Sequence, residues 1–325
     1  MRRLWSTAAW TCALLAMAVA ARAVTGRGAL AAPAESADLL RATCFDDGSG
    51  APTSLTARIS DLAPAAEPFV SVQLWKTDAP PNARATSATD AVDADATPSP
   101  LVFVDGGAGE YLVFIDKTAA GEEIYELTLQ CTTGTGGSGA PAGTLVPAFA
   151  PEVPAWGPLA QLAALLALLA AARSRLRART RAWQSSLLVA SAAALCAGAS
   201  MPASAHTQNG TLGSAASATD AYQVTCLPGS HSLAVQILDS SPGALPLVSA
   251  RVQRGEQLVS TSDTIAADAV RSPNIVMNLG DGAYLVLIDK TGAGTKFYSL
   301  LYHCYALPGG SGAETSSSIT PLQNQ

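Results

Sequence analysis

The sequence predicts a mainly β protein in which two duplicated antiparallel β-sandwich domains are joined by a hydrophobic helical hairpin. Three observations predict it. Residues 109–131, GEYLVFIDKTAAGEEIYELTLQC, recur as residues 282–304, GAYLVLIDKTGAGTKFYSLLYHC, with 13 identities in 23 positions and no gap. Within each copy apolar residues alternate with period two and show no helical period. Apolar runs without a polar face stand at the N-terminus and between the copies, where a soluble helix would carry a polar stripe.

The duplication extends upstream. SLTARISDLAPAAEPFVS at 54–71 pairs with SLAVQILDSSPGALPLVS at 232–249, and Asp38, Thr43 and Cys44 pair with Asp220, Thr225 and Cys226. The copies therefore run over roughly 36–132 and 218–306, and the first has longer loops around 76–98. The expected division is a signal peptide at 1–23, repeat 1 at 24–132 and a Gly/Pro-rich linker at 133–152. Then follow a membrane helix with an Arg cluster at 153–182, a second such helix at 183–205, repeat 2 at 206–306 and a flexible tail at 307–325.

Taken in order, strands fit 39–44, 55–60, 69–75 and 101–105, each with an equivalent in the second copy. In the next, Tyr111, Val113 and Ile115 point one way while Leu112, Phe114 and Asp116 point the other. Residues 118–123 read as a turn, and Ile124–Cys131 as the returning strand of a β-hairpin, with Tyr125, Leu127, Leu129 and Cys131 on one face. Six or seven short strands in roughly 90–95 residues make an antiparallel sandwich.

The apolar runs read as targeting segments. Residues 1–23 have two arginines, an apolar core and Ala-Arg-Ala, the layout of a secretory signal peptide cut after Ala23. From Val153 a run about as short as a spanning helix can be ends in Arg173, Arg175, Arg177, Arg179 and Arg181, a cluster expected to stay cytoplasmic. A third run ends in Ala203-Ser204-Ala205 before His206, a second cleavage-type site after Ala205. The chain is then either two exported precursors joined end to end or a membrane hairpin with one exported domain on each side. A soluble helical hairpin is the third reading, set against the missing polar stripe.

Charge and cysteines agree with export. Residues 24–150 hold 16 Asp/Glu against 6 Lys/Arg and residues 206–325 hold 8 against 5, so both domains are acidic and nucleic acid is excluded as a partner. Four of the six cysteines fall one pair per copy, predicting Cys44–Cys131 and Cys226–Cys304. Each bridge would stabilise its domain by about 4 kcal/mol on the chain-entropy model. Zinc is the rival, without a neighbouring His pair. Cys12 and Cys196 lie inside apolar runs.

Three groups could carry chemistry. His206, as a processed N-terminus, could chelate copper with a second histidine from His231 or His303. Asp90, Asp93 and Asp95 could offer oxygen ligands to Ca²⁺, although the sequence lacks the glycine and distal glutamate of a calcium loop, so a solvated acidic loop is expected. Asp116-Lys117-Thr118, repeated as Asp289-Lys290-Thr291, could be functional or form a crosslink; at a strand end it reads as a hairpin cap that keeps an edge charged. TTGTGGSGAPAG at 132–143 and GGSGAETSSS at 309–318 read as flexible. No phosphate loop, redox CxxC or nucleotide fingerprint occurs and repeat 1 has no histidine, so neither catalysis nor a cofactor is expected.

Two family resemblances add to this. Pro154, Trp156 and Gly157, followed by a short apolar run and the Arg cluster, resemble the PEP-CTERM sorting signals and their Ile-Pro-Thr-Leu-led relatives over residues 153–182. That resemblance implies a bacterial exported protein, membrane insertion and handling by exosortase-type machinery. Gly109-x-Tyr111-x-Val113 followed by Tyr125-x-Leu127 resembles the end of the bacterial pre-peptidase C-terminal domain, which implies a jelly-roll-like sandwich. The expectation is a non-enzymatic protein at the inner membrane or cell surface, both domains outside, binding an unidentified extracytoplasmic ligand. Copper binding through His206 and service as an accessory module of an exported hydrolase are the alternatives.

Overall fold

The computed structural model describes residues 23–64, 68–92, 95, 97–148 and 206–325, which fall in one compact unit. The expected signal peptide up to residue 22, the apolar segments with Pro154, Trp156, Gly157, the five arginines and Ala205, and Asp93 lie outside these residues. So does the expected helical hairpin. Among the described residues no helix is long and apolar enough to cross a membrane.

Repeat 1 is built from β1 (Val24–Leu30), β2 (Ala37–Phe45), β3 (Ser54–Ala63), β4 (Val70–Trp75), β5 (Ala85–Asp90), β6 (Val102–Asp105), β7 (Gly109–Lys117), β8 (Glu123–Thr132) and β9 (Thr144–Ala148). They form a four-stranded sheet, β1-β8-β3-β6, and a five-stranded sheet, β5-β4-β7-β2-β9. Repeat 2 repeats the plan with β10 (His206–Leu212), β11 (Asp220–Cys226), β12 (Ser232–Asp239), β13 (Val248–Arg254), β14 (Gln257–Asp263), β15 (Ile275–Met277), β16 (Gly282–Lys290), β17 (Lys296–Leu307), β18 (Ser311–Thr315) and β19 (Ser317–Gln323). Its sheets are β10-β17-β12-β15, extended by β18 on β17, and β14-β13-β16-β11-β19.

Alternation puts one side chain in two into each core. Leu55, Ala57 and Ile59 of β3 and Tyr125, Leu127 and Leu129 of β8 share an apolar cluster with Val70 and Val72 of β4 and Tyr111, Val113 and Ile115 of β7. The equivalents in repeat 2 form a second, separate cluster. Burial of each large aliphatic side chain contributes roughly 1.5–3 kcal/mol. Both expected disulfides are present, Cys44–Cys131 and Cys226–Cys304, with Cα–Cα separations of 5.9 and 5.6 Å. They join β2 to β8 and β11 to β17, so each links the two sheets of its repeat through the core.

Four sequence expectations need correction. β7 and β8 are not a hairpin: β7 pairs with β2 and β4, while β8 pairs with β1 and β3. The connection between them arches from one sheet to the other, so their inward faces meet across the core. The supposed linker contributes β9, which lies along β2, and the supposed flexible tail supplies β18 and β19, which lie along β17 and β11. β1 and β10 occupy equivalent places, so the structural repeats include the residues ahead of the visible similarity. The opposite face of β7 is buried as well: Phe114 and Asp116 are inaccessible, and every residue of β4 is buried.

Candidate functional site

That second burial has one cause: the five-stranded sheets of the two repeats pack against each other. Trp75, Ala85 and Phe114 of repeat 1 cluster with Ala221 and Leu287 of repeat 2, flanked by Leu39, Leu112, Leu258 and Leu285. The contacts are reciprocal at the level of strands: the residues leading into β11 and β2 meet β5 and β14 of the other repeat. Thr219, just before β11, donates to Ser87 of β5 at 3.2 Å, while Ser260 of β14 donates its N–H to the Glu35 carbonyl, just before β2, at 3.4 Å. Such reciprocal contact of like elements resembles an isologous interface, here between two halves of one chain.

At its centre stand the repeated aspartates. Arg251 of β13 donates one nitrogen to Asp116 at 2.8 Å and the other to Asp289, and all three side chains are at most 2% exposed. Gln73 holds the position in β4 equivalent to Arg251 and donates to Asp116 at 3.2 Å. One guanidinium thus serves two buried carboxylates. Burial, reinforced by the Asp289 charge, raises the Asp116 carboxyl above its ordinary value despite Arg251. The edge-charge reading of Asp116 and Asp289 fails because β7 and β16 are interior strands, and the partner repeat covers their outer faces.

The rest of the motif ties loops to strands. Lys117 donates to the carbonyls of Ala31 and Gly121, and Lys290 to that of Ala215, which fixes the turn ahead of β2 and β11. Burial lowers both ammonium groups. Thr118 and Thr291 accept the N–H of Phe69 and Leu247 at 3.1 and 3.0 Å.

The Gly-x-Tyr element is structural too. Tyr111 and Tyr284 donate to the Gly107 and Gly280 carbonyls at 2.6 and 2.5 Å, closing the corner that enters β7 and β16. Lys76 and Arg254 lie over these rings at 4.6 and 4.7 Å. Gly109 and Gly282 have φ of +113° and +118°, and a Cβ there would run into Lys76 and Arg254. Tyr125 and Tyr298 lie across from Gly28 and Gly210 and donate to Asp38 and Asp220 at 2.7 and 2.5 Å. Burial raises the carboxyls of Asp38 and Asp220.

The remaining candidates stay apart. His206 stacks on Tyr302 with ring centroids 5.5 Å apart, His303 lies 3.0 Å from Glu314, and His231 sits in an exposed loop. Asp90 is buried rather than solvated and accepts the N–H of Asp61, as Asp263 accepts that of Asp239. Asp95 accepts the Thr97 N–H. Among the described residues no group of three or more His, Cys, Asp or Glu side chains is arranged to hold a metal. One further difference separates the repeats: the buried Asp239–Lys296 pair, at 2.7 Å, has Asp61 and Glu123 in its place in repeat 1. Two clefts flank the interface. The larger, about 510 Å³, is lined by Asp90, Pro98, Leu101, Ser217 and Thr291, and its counterpart of about 290 Å³ by Glu35, Ser260, Pro273 and Ile275.

No family model matches the chain, and no curated protein matches it. Among solved structures it is similar to vicilin from Solanum lycopersicum (tomato), at 10% identity and a TM-score of 0.21, over 93% of this chain and 78% of that one. It is also similar to the infectious bursal disease virus VP2 subviral particle, at 8% identity and a TM-score of 0.18, over 93% of this chain and 76% of that one. At these scores neither likeness defines the fold.

Proposed function

We propose that the chain is an exported, non-enzymatic protein whose two disulfide-stabilised sandwiches act as one two-lobed structural or binding body outside the cytoplasm. The observation that carries this reading is the pair of buried disulfides at equivalent positions, since such bonds form and persist in oxidising compartments. The strand order supports a jelly-roll-like sandwich, because the nine strands of repeat 1 and the ten of repeat 2 are each dealt between two facing antiparallel sheets. The first strands, β1 and β10, start at Val24 and His206, directly after the expected cleavage positions Ala23 and Ala205. In this reading the apolar segments and the arginines at 173–181 hold the chain at the inner membrane or pass it to an exosortase-type sorting system.

Expression from the native start codon in a Gram-negative host tests it, by fractionation, thiol alkylation and mass spectrometry. The expected product is extracytoplasmic or membrane-bound, has all four cysteines of the two bridges blocked to alkylation, and begins at Val24. A cytoplasmic product that retains Met1 and carries free thiols at Cys44, Cys131, Cys226 and Cys304 would overturn the proposal.

A further inference from the structure

Every strand pair among the described residues lies within one repeat, and each repeat closes its own core and its own disulfide. The repeats therefore meet as two finished bodies. The face between them has a code in both size and charge. Repeat 1 contributes more of the bulk, with Leu39, Trp75 and Phe114 where repeat 2 has Ala221, Gln253 and Leu287, against Leu258 of repeat 2 where repeat 1 has Ala85. Repeat 2 contributes the guanidinium, Arg251, where repeat 1 has Gln73. A pair of first repeats would bury two Asp116 carboxylates with no cation and set Trp75 and Phe114 against their own copies. A pair of second repeats would balance charge but lose the large side chains that fill the apolar patch. One of each satisfies both.

We infer that the two repeats are specific partners for one another as separate bodies: the outer face of the β5-β4-β7-β2 sheet is a docking surface for the matching sheet of repeat 2, and holds it without a covalent connection. The C-terminal residues extend that surface. The Gln323 side chain accepts the N–H groups of Arg84 and Ala85 at 2.7 and 2.9 Å and donates to the Ala85 carbonyl at 2.9 Å, pairing with β5 as a strand backbone would. Its nitrogen also donates to the Thr219 carbonyl at 2.7 Å, so repeat 2 holds the hook in place.

The test uses the full chain with a site-specific protease sequence inserted between residues 149 and 204. After cleavage in mild detergent, native mass spectrometry at micromolar concentration is expected to show a 1:1 complex of the two halves. R251Q, which leaves both carboxylates without a cation, is expected to weaken that complex by about a hundredfold or more, with each half keeping its disulfide. The swap Q73R/R251Q moves the guanidinium to the equivalent place on the other repeat and is expected to restore pairing, including where R251Q alone folds poorly. Halves of the unaltered chain that separate at micromolar concentration overturn the inference. So does equal retention in R251Q, or a swap that recovers no more of the complex than R251Q does.

Discussion

Arg251 stands between two carboxylates in a place that excludes water, and that imbalance sets a pH dependence. Removing the cation from such a triad leaves buried charge uncompensated, which costs about 3–5 kcal/mol in comparable buried pairs. Asp116, facing Arg251, Asp289 and Gln73, has its carboxyl raised by burial and by the second carboxylate. The folded chain therefore takes up a proton at a pH where the unfolded chain has not, so stability rises on acidification from neutrality. It is lost again as pH rises through the folded value of Asp116. Asp38, Asp220 and Asp263, also raised by burial, act in the same direction. In thermal melts from about pH 7 to about pH 4.5, D116N is expected to flatten this gain. At neutral pH it should not lower the melting temperature, because it leaves a balanced Arg251–Asp289 pair. An unchanged pH slope in D116N would show that Asp116 is not the group that takes up the proton.

Among the elements, β19 does the most for its length. It covers the edge of β11, and Gln323, 1% exposed, donates to Ala85 and Thr219 and accepts from Arg84 and Ala85. Q323A leaves buried peptide groups unpaired on both repeats and is expected to cost about 2–4 kcal/mol in denaturant titration. N324A, at an exposed residue that meets Asn82 through its backbone N–H, should cost under about 1 kcal/mol. Equal losses would place the stabilisation in the end of the chain as a whole rather than in the Gln323 amide. Such a strand is hard to read from sequence, because GGSGAETSSS has the composition of a linker and becomes a strand only where β17 and β11 offer unpaired edges. The same limit explains the mistaken hairpin. Period-two alternation shows which residues of β7 and β8 face inward, but it is identical for strands side by side and strands facing across a core. The disulfides and the strands at 39–44, 55–60, 69–75 and 101–105 were legible, since those signals are local or fixed by the duplication. Asp116 and Phe114 were legible as an outer face. Their burial is tertiary, imposed by a partner sheet that no local pattern encodes.

For the whole molecule, the shared apolar patch and the Asp116–Arg251–Asp289 triad make each repeat part of the other's environment. Closing the Cys44–Cys131 loop, 87 residues apart in sequence, stabilises repeat 1 by about 4 kcal/mol through the unfolded chain. Replacing both cysteines by alanine removes that contribution and leaves a small void between the sheets. Were the repeats independent, repeat 2 would not register the change. Docked, it loses its partner whenever repeat 1 opens, and the loss falls unequally on its two sheets. Hydrogen exchange in C44A/C131A is therefore expected to accelerate at interior amides of β13 and β16, which lie in the docked sheet. The amides of β12 and β17, across the second core and held by Cys226–Cys304, should change much less. Acceleration confined to repeat 1 would mean that the interface contributes no coupling between the two halves. Uniform acceleration over both sheets of repeat 2 would instead mean that repeat 2 has no stability of its own. The graded pattern requires both that each sandwich is complete in itself and that the two are held together by their five-stranded sheets.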